Sequence, residues 1–101
     1  MDRSDPSLLV LASLAGGEKH GYAMVADIEE MAGVHLGPGT LYGALSRLES
    51  DGLIEAVEPA GRRRPYRLTA AGSEALERRL QSVARVAETG LTRLRAAGAT
   101  R

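Results

Sequence analysis

Apolar residues recur with helical spacing in four stretches of this chain and with strand spacing between the third and fourth. The clearest helical stretch is 37–53, GPGTLYGALSRLESDGL, where Leu41, Leu45 and Leu48 fall at i, i+4, i+7 on one face. Pro38 suits a first helical turn, where its missing N–H costs nothing and its fixed φ is already helical. Gly52 is placed to end the helix in a left-handed conformation that residues with a Cβ resist. The opposite face carries Thr40, Gly43, Ser46 and Arg47, with Tyr42 on its flank. That surface is small and hydrogen-bonding rather than densely charged, and it suits contact with a flat polar partner.

Taken in order, the chain first shows Asp5-Pro6, an N-cap followed by proline at the first helical position. Leu8, Leu9, Leu11, Ala12, Leu14 and Ala15 then make a short helix that is apolar on more than one side, as helices buried on two faces are. In so small a protein the second face is expected to belong to another subunit. Gly16-Gly17 ends this helix, and Glu18-Lys19-His20 reads as a turn. A second helix begins at Gly21-Tyr22, with Tyr22, Val25 and Ile28 on its apolar stripe, Met24 and Met31 broadening it, and Asp27, Glu29 and Glu30 toward solvent. Gly33 stops it, and Val34, His35 and Leu36 form a connection of the length that joins two helices at a steep angle, with Leu36 plugging the core.

Beyond Gly52 the period changes. Segments 53–58 and 64–69 are of strand length, the second alternating Tyr66 and Leu68 against Arg67, and the turn between them is basic. Two such runs read as a β-hairpin, in which Pro65 restricts its strand to an edge. Thr69 caps a final helix of about 25 residues, longer than a small core covers at 1.5 Å per residue. Leu76, Leu80, Val83, Ala87, Leu91 and Leu94 form a near-heptad seam along it, and the last residues, 96–101, are expected to fray. The predicted fold is mainly α with a small β-hairpin: a winged helix-turn-helix over 1–69 and a long C-terminal dimerisation helix with its tail over 70–101, in one compact unit.

Composition narrows the function. The 101 residues allow one domain. The hydrophobic fraction of 44% and charged fraction of 26% are those of an ordinary globular chain. No membrane span or signal peptide is expected. Cysteine is absent, which points to the cytoplasm and removes thiolate metal sites. The formal net charge is zero, but Arg62, Arg63, Arg64 and Arg67 cluster at the hairpin. Local charge matters more than the sum, because salt screens fields beyond about 8–10 Å.

No nucleophile, base and oxyanion-donor constellation can be assembled, so an enzyme is not expected. His20 and His35 lie in separate loops without partners of metal-site spacing, and neither a metal nor another cofactor is expected. GPGTLYG has the wrong glycine spacing for a dinucleotide fingerprint, and no strand precedes it. A DNA groove fits better. The first turn of the third helix offers N–H groups, a positive dipole end and the hydroxyls of Thr40 and Tyr42 for phosphate, while Gly39 and Gly43 permit close approach. Consecutive arginines at the hairpin tip suit phosphate or minor-groove contact. Arg47 is a candidate for a base edge, with pairing to Asp51 one turn on as its alternative.

The sequence resembles the PadR family of transcriptional regulators over nearly its whole length. The matching pieces are His20-Gly21-Tyr22, Pro38-Gly39-Thr40-Leu41-Tyr42, the Leu45-X-X-Leu48-Glu49-X-X-Gly52-Leu53-Ile54 run, Arg62-Arg63-Arg64-Pro65-Tyr66-Arg67-Leu68-Thr69, and Ala71-Gly72. The resemblance implies a homodimeric winged-helix repressor that binds double-stranded DNA at a two-fold-symmetric operator, of the short-tailed type with one terminal helix. Together with the reading of the third helix and the arginine tip, it gives expected DNA contacts from Tyr22, Pro38, Gly39, Thr40, Tyr42, Gly43, Arg47, Arg62, Arg63 and Arg64. It also implies dimerisation through the terminal helices, here Leu8, Leu11, Leu76, Leu80, Val83, Ala87, Leu91 and Leu94. The family often has Ser before the proline, and Gly37 here removes that capping hydroxyl. Release by a small-molecule effector is left open. The tryptophan-stacked aromatic ligands of some family members are not carried over, because tryptophan is absent. The alternative is a winged-helix protein-interaction module that does not bind DNA.

Overall fold

In a computed structural model that describes residues 5–58 and 64–99, helix α1 (Pro6–Leu14) runs through the centre of the fold. Its start follows from Asp5, whose carboxylate accepts from the Ser7 and Leu8 N–H groups at 3.0 and 3.4 Å. Leu8, Leu9, Val10, Leu11 and Leu14 are all buried. They are surrounded by α2 (Gly21–Ala32), α3 (Pro38–Ser50), α4 (Ala70–Ala99) and the strand Pro65–Leu68. A helix apolar all round needs neighbours all round, and this chain supplies them itself. That corrects the expectation that Leu8 and Leu11 face a second subunit: they are 8% and 1% exposed inside their own core.

In α2 the inward face centres on Gly21, Met24 and Ile28. Tyr22 is not on that face; it is 80% exposed. The spacing Tyr22–Val25–Ile28 and the spacing Gly21–Met24–Ile28 are both helical, and the second wins because glycine at position 21 lets α2 close on Leu41 and Tyr42 of α3. Asp27 departs from the expected solvated face as well. It is half-buried and accepts from the Oγ of fully buried Ser13 at 2.7 Å. Gly33 ends α2 at φ +68°, and Leu36 plugs the core before α3 begins.

The β region is a three-stranded antiparallel sheet rather than a hairpin alone. Lys19 and His20, expected as a turn, form a two-residue strand β1 (Lys19–His20) that joins β2 (Ile54–Ala56) and β3 (Pro65–Leu68) in the order β1-β3-β2. Lys19 pairs with Tyr66 and His20 with Pro65, while Ile54, Glu55 and Ala56 pair with Leu68, Arg67 and Tyr66. Strand β3 is therefore central, which corrects the edge placement argued from Pro65. Proline is tolerated because it is the first residue of the strand, where a missing N–H interrupts no ladder, and its carbonyl still accepts from Val57 at 2.9 Å.

Thr69 joins the sheet to α4 and both to the end of α3. Its Oγ1 accepts from the Gly72 N–H at 3.0 Å as an N-cap and donates to the Gly52 carbonyl at 2.6 Å. Helix α4 spans 30 residues, more than the length expected, and remains helical through 96–99 where fraying was expected. At 1.5 Å per residue it is about 45 Å long, which accounts for the elongated extents of 61 × 26 × 20 Å.

Candidate nucleic-acid interface

Helix α3 divides cleanly. Leu41, Ala44, Leu45 and Leu48 are buried. Pro38, Gly39, Thr40, Tyr42, Ser46 and Arg47 are exposed, and Gly43 is half-buried. A Cβ built at Gly39 or Gly43 would meet nothing within 4 Å. Packing inside the chain thus gives no reason for glycine at either place, and their effect is to keep the outer surface of α3 low. The N-cap is Gly37, in extended conformation, and it provides no side-chain hydrogen bond. The first-turn N–H groups at Gly39 and Thr40 therefore receive no cap from it, and a helix start in that state favours an anionic acceptor.

Beside this face lies the start of α2. His20 caps α2, its Nδ1 accepting from the Ala23 N–H at 3.3 Å. A Cβ at Gly21 would stand 3.0 Å from the Tyr42 hydroxyl and 3.3 Å from Leu41 Cδ2, so the glycine is what allows the Tyr42 ring to lie over the beginning of α2. Tyr22 and Tyr42, exposed at 80% and 56%, flank a shallow apolar groove of about 260 Å³ floored by Val25, Leu36 and Leu41. His35 at its rim pairs with Glu29. Of the sequence-expected residues, Tyr22, Pro38 and Tyr42 come together at this groove, while Gly39, Thr40 and Gly43 lie on the outer surface of α3 away from it.

Arg47 is placed differently. Its guanidinium turns toward α1 and approaches Ser7 Oγ at 3.5 Å, in place of the pairing with Asp51 weighed from the sequence. Arg62 and Arg63 lie outside the described residues. Arg64 is described, with 61% of its side chain exposed. It stands 3.9 Å from the Glu49 carboxylate of α3, and its guanidinium lies 5.9 Å from the centroid of the Tyr66 ring. Arg67 is tied across the sheet to Glu55 at 2.8 Å, and this carboxylate holds the guanidinium above its ordinary pKa. The acidic partners of Arg64 and Arg67 were not singled out from the sequence. The register Glu55↔Arg67 follows once the hairpin is paired, whereas Glu49 meets Arg64 only through the tertiary fold.

The seam of α4 separates into two parts. Leu76 is 4% exposed and belongs to the core, which corrects its assignment to a subunit contact. Leu80, Leu91 and Leu94 are exposed at 44%, 51% and 71%, Val83 is half-buried and Ala87 is exposed. Val86, omitted from the heptad reading, is 60% exposed. A groove of about 320 Å³ between Ala15, Leu68, Ser73 and Leu80 continues this apolar strip toward the sheet. Among the described residues no helix is long and apolar enough to cross a membrane, and no group of three or more His, Asp or Glu residues is placed to hold a metal ion.

Comparison with known proteins adds an independent line. Residues 10–78 match the transcriptional regulator PadR-like family. The chain is 52% identical over 86 residues to an uncharacterized 37.1 kDa protein in transposon TN4556 of Streptomyces fradiae, covering 85% of this chain and only 25% of that one. It is 38% identical over 89 residues to the transcriptional regulator Rv3488 of Mycobacterium tuberculosis, covering 82% of each chain. Its fold is similar to the crystal structure of a PadR-like transcriptional regulator from Bacillus cereus, with a TM-score of 0.77 and 26% identity over 87% of this chain and 89% of that one.

Proposed function

Because the chain belongs to the PadR-like family of transcriptional regulators, we propose that it binds double-stranded DNA as a homodimer and represses transcription from a two-fold-symmetric operator. The family and the relatives from Mycobacterium tuberculosis and Bacillus cereus are transcriptional regulators and not enzymes. The observation that carries the proposal is the outer face of α3, whose leucines are all buried while Gly39, Thr40, Tyr42, Gly43 and Ser46 form a low, hydroxyl-bearing surface. Such a surface can enter a major groove, reading base edges with short side chains while uncapped N–H groups meet phosphate. Tyr22 and Pro38 flank it, and Arg64 reaches the adjoining backbone from the sheet, with Arg62 and Arg63 next to it in sequence. Arg47, drawn toward Ser7, contributes to backbone contact rather than to base reading. In this reading the winged helix-turn-helix of 1–69 is the DNA-binding part and 70–101 the dimerisation part.

Dimerisation is assigned to the outer half of α4. Leu80, Val83, Val86, Ala87, Leu91 and Leu94 form an apolar strip along α4 that is exposed except at half-buried Val83, the kind of surface that marks an association site. A two-fold pairing of α4 helices would cover it and set the two α3 helices at a fixed separation. A small-molecule effector acts on such a dimer only by favouring one separation over another. Selection of bound duplexes from a random pool tests the reading. The expected product is a palindromic site with half-sites about one helical turn apart. Enrichment of no sequence, with capture of no duplex, supports instead a module that binds protein.

A further inference from the structure

Two arginines at the sheet, Arg64 and Arg67, have acidic neighbours in the same chain, but the two pairs differ in kind. Arg67 donates to Glu55 at 2.8 Å, within hydrogen-bond distance, on directly opposed residues of β2 and β3. That pair is a cross-strand tie. Arg64 stands 3.9 Å from Glu49, beyond hydrogen-bond distance, with its cation lying by the ring of buried Tyr66. This second pair is held by charge alone, with most of the arginine side chain in water, and a phosphate oxygen can replace the carboxylate at little cost. Glu49 also lies seven residues beyond Tyr42, on the same flank of α3, about 10 Å along the axis. A carboxylate so placed faces any polyanion that docks on that flank.

Resting on the DNA-binding reading, the geometry points to Glu49 as a specificity-determining residue. By holding Arg64, Glu49 keeps the arginine from contributing to sequence-independent phosphate binding until α3 is seated in its site. On a random duplex, loosely docked, the Glu49–Arg64 pair stays closed, and the carboxylate adds repulsion. On the operator, base contacts hold the sheet against the backbone, and a phosphate takes the place of Glu49. Tyr66 keeps the guanidinium at the same height in both cases, so the exchange needs no movement of the strand.

The test is Glu49→Gln, alone and combined with Arg64→Ala, measured by fluorescence anisotropy on the selected operator and on a random duplex of equal length across a salt series. Glu49→Gln is expected to tighten binding to the random duplex about two- to fivefold and to steepen its log K against log salt slope by about one. Operator affinity changes less, so the ratio between the two falls. In the Arg64→Ala background the gain is smaller, because only the carboxylate's own repulsion is relieved. A gain of equal size without Arg64 overturns the proposal, since it would reflect only the removal of a negative charge. Unchanged or weaker binding to the random duplex overturns it as well. Failure of the unaltered chain to bind either duplex is a distinct result that overturns the DNA reading and this proposal with it.

Discussion

Arg79 of α4 donates to Asp5 at 2.5 Å, across 74 positions of sequence, and the same carboxylate caps α1 through its other oxygen. One side chain thus fixes where the central helix begins and where α4 lies against it. The Arg79 hydrogen bond is the main reason that Asp5 titrates below the ordinary carboxylate value, with the Leu8 and Ser7 N–H groups adding to it and burial opposing it.

A folded-state pKa below the unfolded one means that the Asp5 contribution is present above about pH 4 and is lost as pH falls through the lowered value. Asp5→Ala removes both cap and ion pair and should cost about 0.5–2 kcal/mol at pH 7 through the cap. The ion pair adds little, because both side chains are more than a third exposed. Asp5→Asn should retain most of the cap and lose the acid-dependent component. Urea midpoints measured from pH 7 down to pH 3 check this: the gap between the original chain and Asp5→Asn should close at the acidic end.

Gly72 is where α4 touches the loop after α3. A Cβ there would stand 1.9 Å from the Leu53 carbonyl oxygen, which is itself bonded by the Thr69 N–H at 3.1 Å. Since the obstruction is backbone on both sides, Gly72→Ala must displace α4 from the sheet, and a loss of more than about 2 kcal/mol is expected. Thr69→Ala leaves the space unchanged and removes the cap and the bond to Gly52, at about 0.5–2 kcal/mol. Thermal denaturation should rank the two in that order.

Gly21→Ala acts on the DNA-facing side instead. The new methyl meets the Tyr42 hydroxyl, the far end of a side chain that can swing away, so stability should fall by less than in Gly72→Ala. The Tyr42 ring moves off α2, and operator affinity is expected to drop. Anisotropy on the selected duplex, paired with a melting curve, separates the two effects.

The strip on α4 makes a fourth region testable. Leu91→Glu with Leu94→Glu places charge on exposed side chains and should leave the monomer fold intact while converting a dimer to monomers. Sedimentation velocity is expected to show the original chain as a dimer and the double variant at half that mass. Equal masses would remove α4 from the interface.

Local periodicity made some of this architecture legible. Leu41, Leu45 and Leu48 announced the buried face of α3, and Gly33 and Gly52 the ends of α2 and α3, because those signals lie within a few residues of one another. Features that depend on distant partners were not. A two-residue strand at Lys19–His20 has no period, and it forms only because β3 runs past it. Pro65 gave the wrong position for β3 because the rule concerns N–H groups within a strand, and this proline stands at its start. The apolar character of α1 implied burial on two faces, but composition does not say whether the neighbours come from the same chain. The Glu49–Arg64 and Asp5–Arg79 pairs, like the exposure of Tyr22, became visible only with the helices in place.

The central claim is that α3 and the adjoining sheet bind a duplex through its phosphates as well as its bases. Its most direct test is the affinity of the unaltered chain for the selected operator as a function of salt. The account predicts a linear fall of log K with log salt, with a slope near −0.9 for each phosphate neutralised, and a summed slope of several units for a dimer. Affinity that does not change with salt, or no duplex binding even at low salt, would contradict it.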